Sequence, residues 1–141
     1  MTRRTEANEV AQQAQGIRVD ATGALREFPL GDSPREQARS VSRALLDMPT
    51  VIRRIAHPDG SVVIIGGKNR EQHPPNLHAC LLSQALGGPV EDLRGSVVFA
   101  GVTPSDRLIS LPDAVLAEAH KTCIGTTSLT ASRNTNERDN L

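Results

Sequence analysis

Residues 59–102 read DGSVVIIGG, KNREQHPPN, LHACLLSQALGGP, VEDL and RGSVVFAGV in unbroken succession, and their punctuation decides the fold. Two short, almost wholly apolar runs, 61–65 and 96–100, flank one helix. Valine, isoleucine and phenylalanine at successive positions suit strands buried on both faces. Gly66-Gly67 ends the first run, and Gly95 and Gly101 bracket the second. Between them, polar residues 68–75 form a loop. Asn76 then offers a side-chain oxygen to the first free helical N–H groups, so the spacing predicts a helix over 77–86. Gly87-Gly88-Pro89 stops it. Leu77, Leu81, Leu82, Ala85 and Leu86 are predicted to pack on the sheet.

Upstream of this stretch, 51–56 (VIRRIA) is β-branched at three positions and meets 61–65 through the turn Pro58-Asp59-Gly60, which predicts a hairpin. Arg53 and Arg54 then point to opposite faces, as successive strand residues do, and are expected to be solvated. Further back, Ser33-Pro34-Arg35-Glu36 combines a capping serine, a proline at the first helical position and a glutamate three residues after the cap. Ala38, Val41, Leu45 and Met48 follow as one apolar stripe, with Arg35, Arg39, Ser42 and Arg43 away from it, and Pro49 ends the helix. Earlier still, Ile17-Arg18-Val19-Asp20 alternates as a half-buried strand, Ala21-Thr22-Gly23 turns it, and 25–28 returns. Downstream, 108–111 reads as an edge strand, and Ser110-Leu111-Pro112-Asp113 as a second capping box for a helix to about His120.

The order is ββ-α-ββ-α-ββ-α: one small α+β domain with a mixed or mainly antiparallel sheet and about three helices. Its core spans 16–121. Residues 1–15 are polar and glutamine-rich, and read as a disordered tail; 122–141, rich in Ser, Thr and Asn, read as a flexible polar tail.

Composition narrows the function classes. Sixteen basic and sixteen acidic residues balance, so no general attraction to nucleic acid is expected. Phe28 and Phe99 are the only aromatic residues, which leaves no platform for stacking bases. Fourteen of the sixteen basic residues are arginine, in keeping with a GC-rich coding bias. Cys80 and Cys123 lie far apart with no signal peptide before them, which points to a reducing cytoplasm. No apolar run approaches the ~20 residues of a membrane span.

The same words in the same order carry a resemblance. Pro58-Asp59-Gly60, Pro74-Pro75-Asn76, the strand Gly95-Ser96-Val97-Val98-Phe99-Ala100-Gly101 and Ser110-Leu111-Pro112-Asp113, over about residues 16–121, resemble a small domain family of unknown function. That family occurs mainly in proteins of phages and other mobile elements of bacteria. The resemblance implies a phage or prophage accessory protein in the host cytoplasm, and brings no catalytic residues with it. The full, polar 68–74 loop and both tails depart from the family pattern.

Candidate sites are few. Gly66, Gly67, Lys68, Asn69 and Arg70 stand where a buried strand ends. Glycine amides there can approach an anion and the two cations can hold it, although no Walker sequence follows. With His73 and Asn76 they make up the predicted ligand-binding loop. His73, His78 and Cys80 have metal-capable side chains, but His78 and Cys80 fall about 200° apart around a helix, so no metal site is predicted. No cofactor signature and no catalytic nucleophile are found, and a non-enzymatic protein binding a host protein or a small, phosphate-containing ligand is expected. The rivals are a small phosphate-recognising enzyme with His73 as acid or base and a minor structural part of a phage particle. An open strand edge would also let two copies pair as a homodimer.

Overall fold

A computed structural model describes residues 13–123. The expectations for 1–12 and 124–141 fall outside the described residues.

The strands are β1 (Gln15–Val19), β2 (Leu25–Pro29), β3 (Pro49–His57), β4 (Gly60–Gly67), β5 (Val97–Val102) and β6 (Leu108–Ile109). The helices are α1 (Pro34–Leu45), α2 (Leu77–Ala85) and α3 (Asp113–Thr122), with one 3₁₀ turn over Arg70–Gln72. All six strands join one sheet in the order β2-β1-β5-β4-β3, and β6 also pairs with β5. Every pairing is antiparallel. The sheet is therefore wholly antiparallel, and the α+β class read from the sequence holds.

Alternation in the two central strands builds two cores. Val62, Ile64, Val97 and Phe99 point with Ile17 and Val19 to one face, under α2 and α3. Val63, Ile65, Val98, Ala100 and Val102 point to the other face, under α1. Antiparallel sheets often leave one face in water; here helices cover both, which is why β4 and β5 are apolar at consecutive positions.

The edge of β5 opposite β4 is shared. β1 takes residues 97–99 and β6 takes 101–102, so these two strands lie end to end along one partner. The backbone N–H of Gln15 donates to Ser110 Oγ at 2.9 Å across their junction. That bond corrects the second capping box: Ser110 faces β1, and α3 begins after Pro112 with no side-chain cap. The outer strands are β2 and β3. β3 carries two exposed arginines, a register shift at Ile52 and a proline at its start, all features that blunt an open edge.

The first capping prediction holds. Ser33 Oγ accepts from the N–H of Glu36 at 3.2 Å, while Glu36 reaches back to the N–H of Asp32 at 2.9 Å. The α1 stripe is shifted by one position from its predicted start, because Gln37 is buried in place of Ala38. Gln37 acts as a surrogate strand neighbour: it donates to the carbonyls of Gly31 and Leu108 and accepts from the N–H of Leu108. The helix ends at Leu45, short of Pro49, and Met48 is exposed beyond it.

α2 is rotated from its predicted orientation. Ala79, Leu82, Ser83 and Leu86 form its buried face, while Leu77 and Leu81 stand 67 % and 54 % exposed. Small residues at 79 and 83 let the helix sit close to the sheet, and leucine count alone misjudges which side that is. Cys123, assigned from the sequence to the tail, is a core residue one turn beyond Ala119, on the same face.

Asn76 holds these parts in place and is fully buried. Its side-chain amide donates to the carbonyls of Val19 (2.9 Å) and Gly95 (2.7 Å), and its Oδ1 accepts from the N–H of Ala79 (3.0 Å). Its own backbone N–H donates to Leu93 O at 2.8 Å. Replacing it by alanine strands three buried backbone groups, and the expected loss is about 2–4 kcal/mol in denaturant unfolding. Asn76→Asp separates the roles: it keeps the cap but sets a carboxylate against two carbonyls. It is expected to be no more stable than the alanine variant; near-wild-type stability would show that the cap alone matters.

Candidate functional site

The loop predicted to bind a ligand already holds an anion supplied by the chain itself. α1 ends with Leu46 in the left-handed conformation (φ 56°), an unusual geometry for a non-glycine residue. This turn throws Asp47 toward the end of β4. One Asp47 oxygen accepts from the backbone N–H of Asn69 at 2.7 Å; the other accepts from the Asn69 side chain at 3.2 Å and from the N–H of Met48 at 2.7 Å. Gly67 makes room for it, since a Cβ there would lie 2.7 Å from the Asp47 carboxylate. The arrangement of glycine and loop amides around an acidic group, read from the sequence as an anion cradle, is closed intramolecularly.

The other predicted residues are distributed as follows. Gly66 and Gly67 are buried at the end of β4. Arg70 Nη1 donates to the carbonyl of Gly67 at 3.0 Å, folding its guanidinium back on the loop. Asn76 is buried and spends both amide hydrogens on carbonyls. Lys68 and His73 are exposed, and the His73 carbonyl accepts from Arg94 at 3.2 Å. The loop is thus an internally bonded cap on the strand ends, with Gly66, Gly67 and Asn76 buried and Lys68 and His73 exposed.

Among the described residues no cluster of three or more His, Cys, Asp or Glu side chains is placed to hold a metal ion. Cys80 Sγ lies 3.3 Å from the carbonyl of Glu91. The Cys123 thiol is pushed up to about 11 by burial, so it is protonated and inert at neutral pH. Arg53 and Arg54 do point to opposite faces, and each has an acidic partner, Glu91 and Asp106 respectively.

Among the described residues a concave surface lies on the α1 face. α1 crosses that face and leaves a cleft of about 570 Å³ between its first turns and β3. Pro34, Ala38 and Val41 form one wall, Pro49 and Val51 the other, and Ile65 the floor; residues 105–108 close one end. The Asp106 carboxylate meets Arg54 there, and Arg107 donates to the carbonyl of Asp32. None of the seven predicted residues lines this cleft. One signal for it was present in the sequence: Ala38, small and on the apolar side of α1, leaves a gap where a longer side chain would fill the space over Ile65.

No family model, no curated protein and no solved structure matches this chain.

The Asp47 clasp has a pH signature. Its carboxyl is held below the usual range first by the backbone N–H of Asn69; desolvation opposes this, and the Met48 N–H, the Asn69 side chain and His73 add to the lowering. A depressed carboxyl stabilises the fold above its unfolded value, about 3.9, and that contribution is lost as pH falls through the folded value. Asp47→Asn is expected to be less stable than wild type at pH 7, with the gap closing as pH falls from about 5 toward 2. A gap that stays constant over that range would remove the clasp from the account.

Proposed function

We propose that this chain is a non-enzymatic binding protein of a phage or integrated element, working in the host cytoplasm, which holds a small molecule with an apolar body in the cleft beside α1. The observation that carries this reading is the cleft itself. Its volume of about 570 Å³ falls within the ~300–1,000 Å³ typical of small-molecule sites. Proline, valine and isoleucine side chains supply its walls and floor, and the Arg54–Asp106 pair supplies a polar rim. Its walls come from α1, β3 and β4, whose positions are fixed by the core beneath them. Such a surface favours retention of a ligand by burial of apolar area, with one charged pair to orient it. The biological setting rests on the order of the Asp59-Gly60, Pro74-Pro75-Asn76, Gly95–Gly101 and Leu111-Pro112 motifs, which resembles that of the mobile-element domain family.

A thermal-shift screen of small molecules tests the reading directly. A ligand present at about 100 times its Kd adds about 2.7 kcal/mol of stability, an easily read rise in melting temperature. Ala38→Trp places an indole across the cleft from an exposed helix position. Compounds that stabilise the wild type are expected to lose their effect on this variant. Retention of the shifts by Ala38→Trp would place binding elsewhere and overturn the reading.

A further inference from the structure

On the other flank of α1 lies a second, smaller pocket of about 310 Å³ with a different chemistry. Arg18 from β1, Arg26 from β2 and Arg43 from the last turn of α1 line it, together with Ser40, Phe28 and Pro29. Arg18 and Arg26 are direct cross-strand partners. Both lie on the α1 face, since Arg18 also registers with Val98, a residue of the core under α1. Like charges placed directly opposite one another disfavour a strand pair. A cation at the C-terminal end of a helix accounts for part of the cluster: Arg18 Nη1 donates to Ala44 O at 3.3 Å, and Arg43 belongs to the final turn. It does not account for Arg26, which adds a third guanidinium with no helix carbonyl to meet.

The available carboxylates do not neutralise the cluster. Asp20 accepts from Arg18 Nη2 at 3.4 Å and lies 3.0 Å from Arg18 Nε, yet off its N–H direction, so that buried Nε has no hydrogen-bond acceptor among the described residues. Asp20 also accepts from Ser96 Oγ at 2.9 Å. Glu27 sits at the pocket rim, but its carboxylate lies 3.7 Å from His120 on the opposite side of the sheet. Among the described residues Arg26 and Arg43 have no acidic partner. Three guanidiniums against Asp20 and the Glu27 carboxylate at the rim leave a net positive charge, with an unmet buried donor and the Ser40 hydroxyl beside them.

We propose that the Arg18–Arg26–Arg43 pocket binds a phosphomonoester dianion carried on a small molecule with an apolar or planar body. Guanidinium forks match phosphate oxygens in geometry, and the excess of positive charge favours an anion. Phe28 and Pro29 give the apolar wall against which the organic part of the ligand rests. The volume lies at the small end of the range for ligand sites. This site is separate from the cleft of the proposed function, across α1 from it, and stands independently of it.

Titration calorimetry with inorganic phosphate and with phenyl phosphate, against chloride at matched ionic strength, tests the proposal. Both phosphates are expected to bind the wild type, phenyl phosphate more tightly because of the Phe28–Pro29 wall. Arg26→Gln and Arg43→Gln are each expected to weaken both by about tenfold or more, the scale of one charge-assisted hydrogen bond. Arg39→Gln, an equally exposed charge on α1 outside the pocket, is expected to bind like wild type, as is Ala38→Trp on the opposite flank. Heats no larger than those of chloride overturn the proposal, and so does an equal loss in Arg39→Gln, which would reduce the effect to general surface charge.

Discussion

The fold turns on one buried amide. Asn76 begins α2, but its side chain also bonds to the last residue of β1 and to the residue leading into β5. A helix cap alone needs an acceptor, and serine or aspartate would serve as well as asparagine. Here the acceptor faces the helix while two donors face two backbone carbonyls. Only an uncharged amide offers both at that distance. The result fixes α2 over the sheet at the point where β1 meets β5, and the core of Ile17, Val19, Leu82, Val97 and Phe99 assembles around that point.

The rule of local signals explains what the sequence disclosed. Hairpin turns, the glycines ending β4 and the Ser33-Pro34 and Asn76 caps are decided by neighbours within a few residues, so they are legible without tertiary information. Facing is a tertiary property and was read less well. Leu77 and Leu81 look like core residues because they are leucines, whereas Ala79 and Ser83 occupy the contact because close approach needs small side chains there. Gln37 is the reverse case, a polar residue buried because three hydrogen bonds to Gly31 and Leu108 compensate it. Likewise Cys123 joins the core because α3 carries its Val115–Ala119 face one turn further than the polar composition after it implies.

The candidate sites show the same division. A glycine pair followed by Lys68 and Arg70 has the local chemistry of an anion cradle, and the loop does receive an anion. That anion is Asp47, some twenty residues earlier in the chain and delivered by the left-handed turn at Leu46. No local pattern announces such a partner. The two concave surfaces flanking α1 are made by residues drawn from five strands and a helix, each unremarkable alone. Arg18, Arg26 and Arg43 become a cluster only through the β1–β2 register and the way α1 crosses the sheet.

The sharing of β5 among β1, β4 and β6 also constrains how the chain is made. Strands β1–β2 and β3–β4 are adjacent hairpins in sequence, yet neither pairs with the other; both wait for residues 97–102. On a ribosome, the part of the domain before β5 therefore emerges as two separate ribbons with apolar faces and no common sheet. Completion comes when the most apolar strand inserts between them, at long sequence separation, followed by α3. The assembly of this domain thus waits for the glycine-bracketed strand at its centre, which is the step on which the joining of the two ribbons depends.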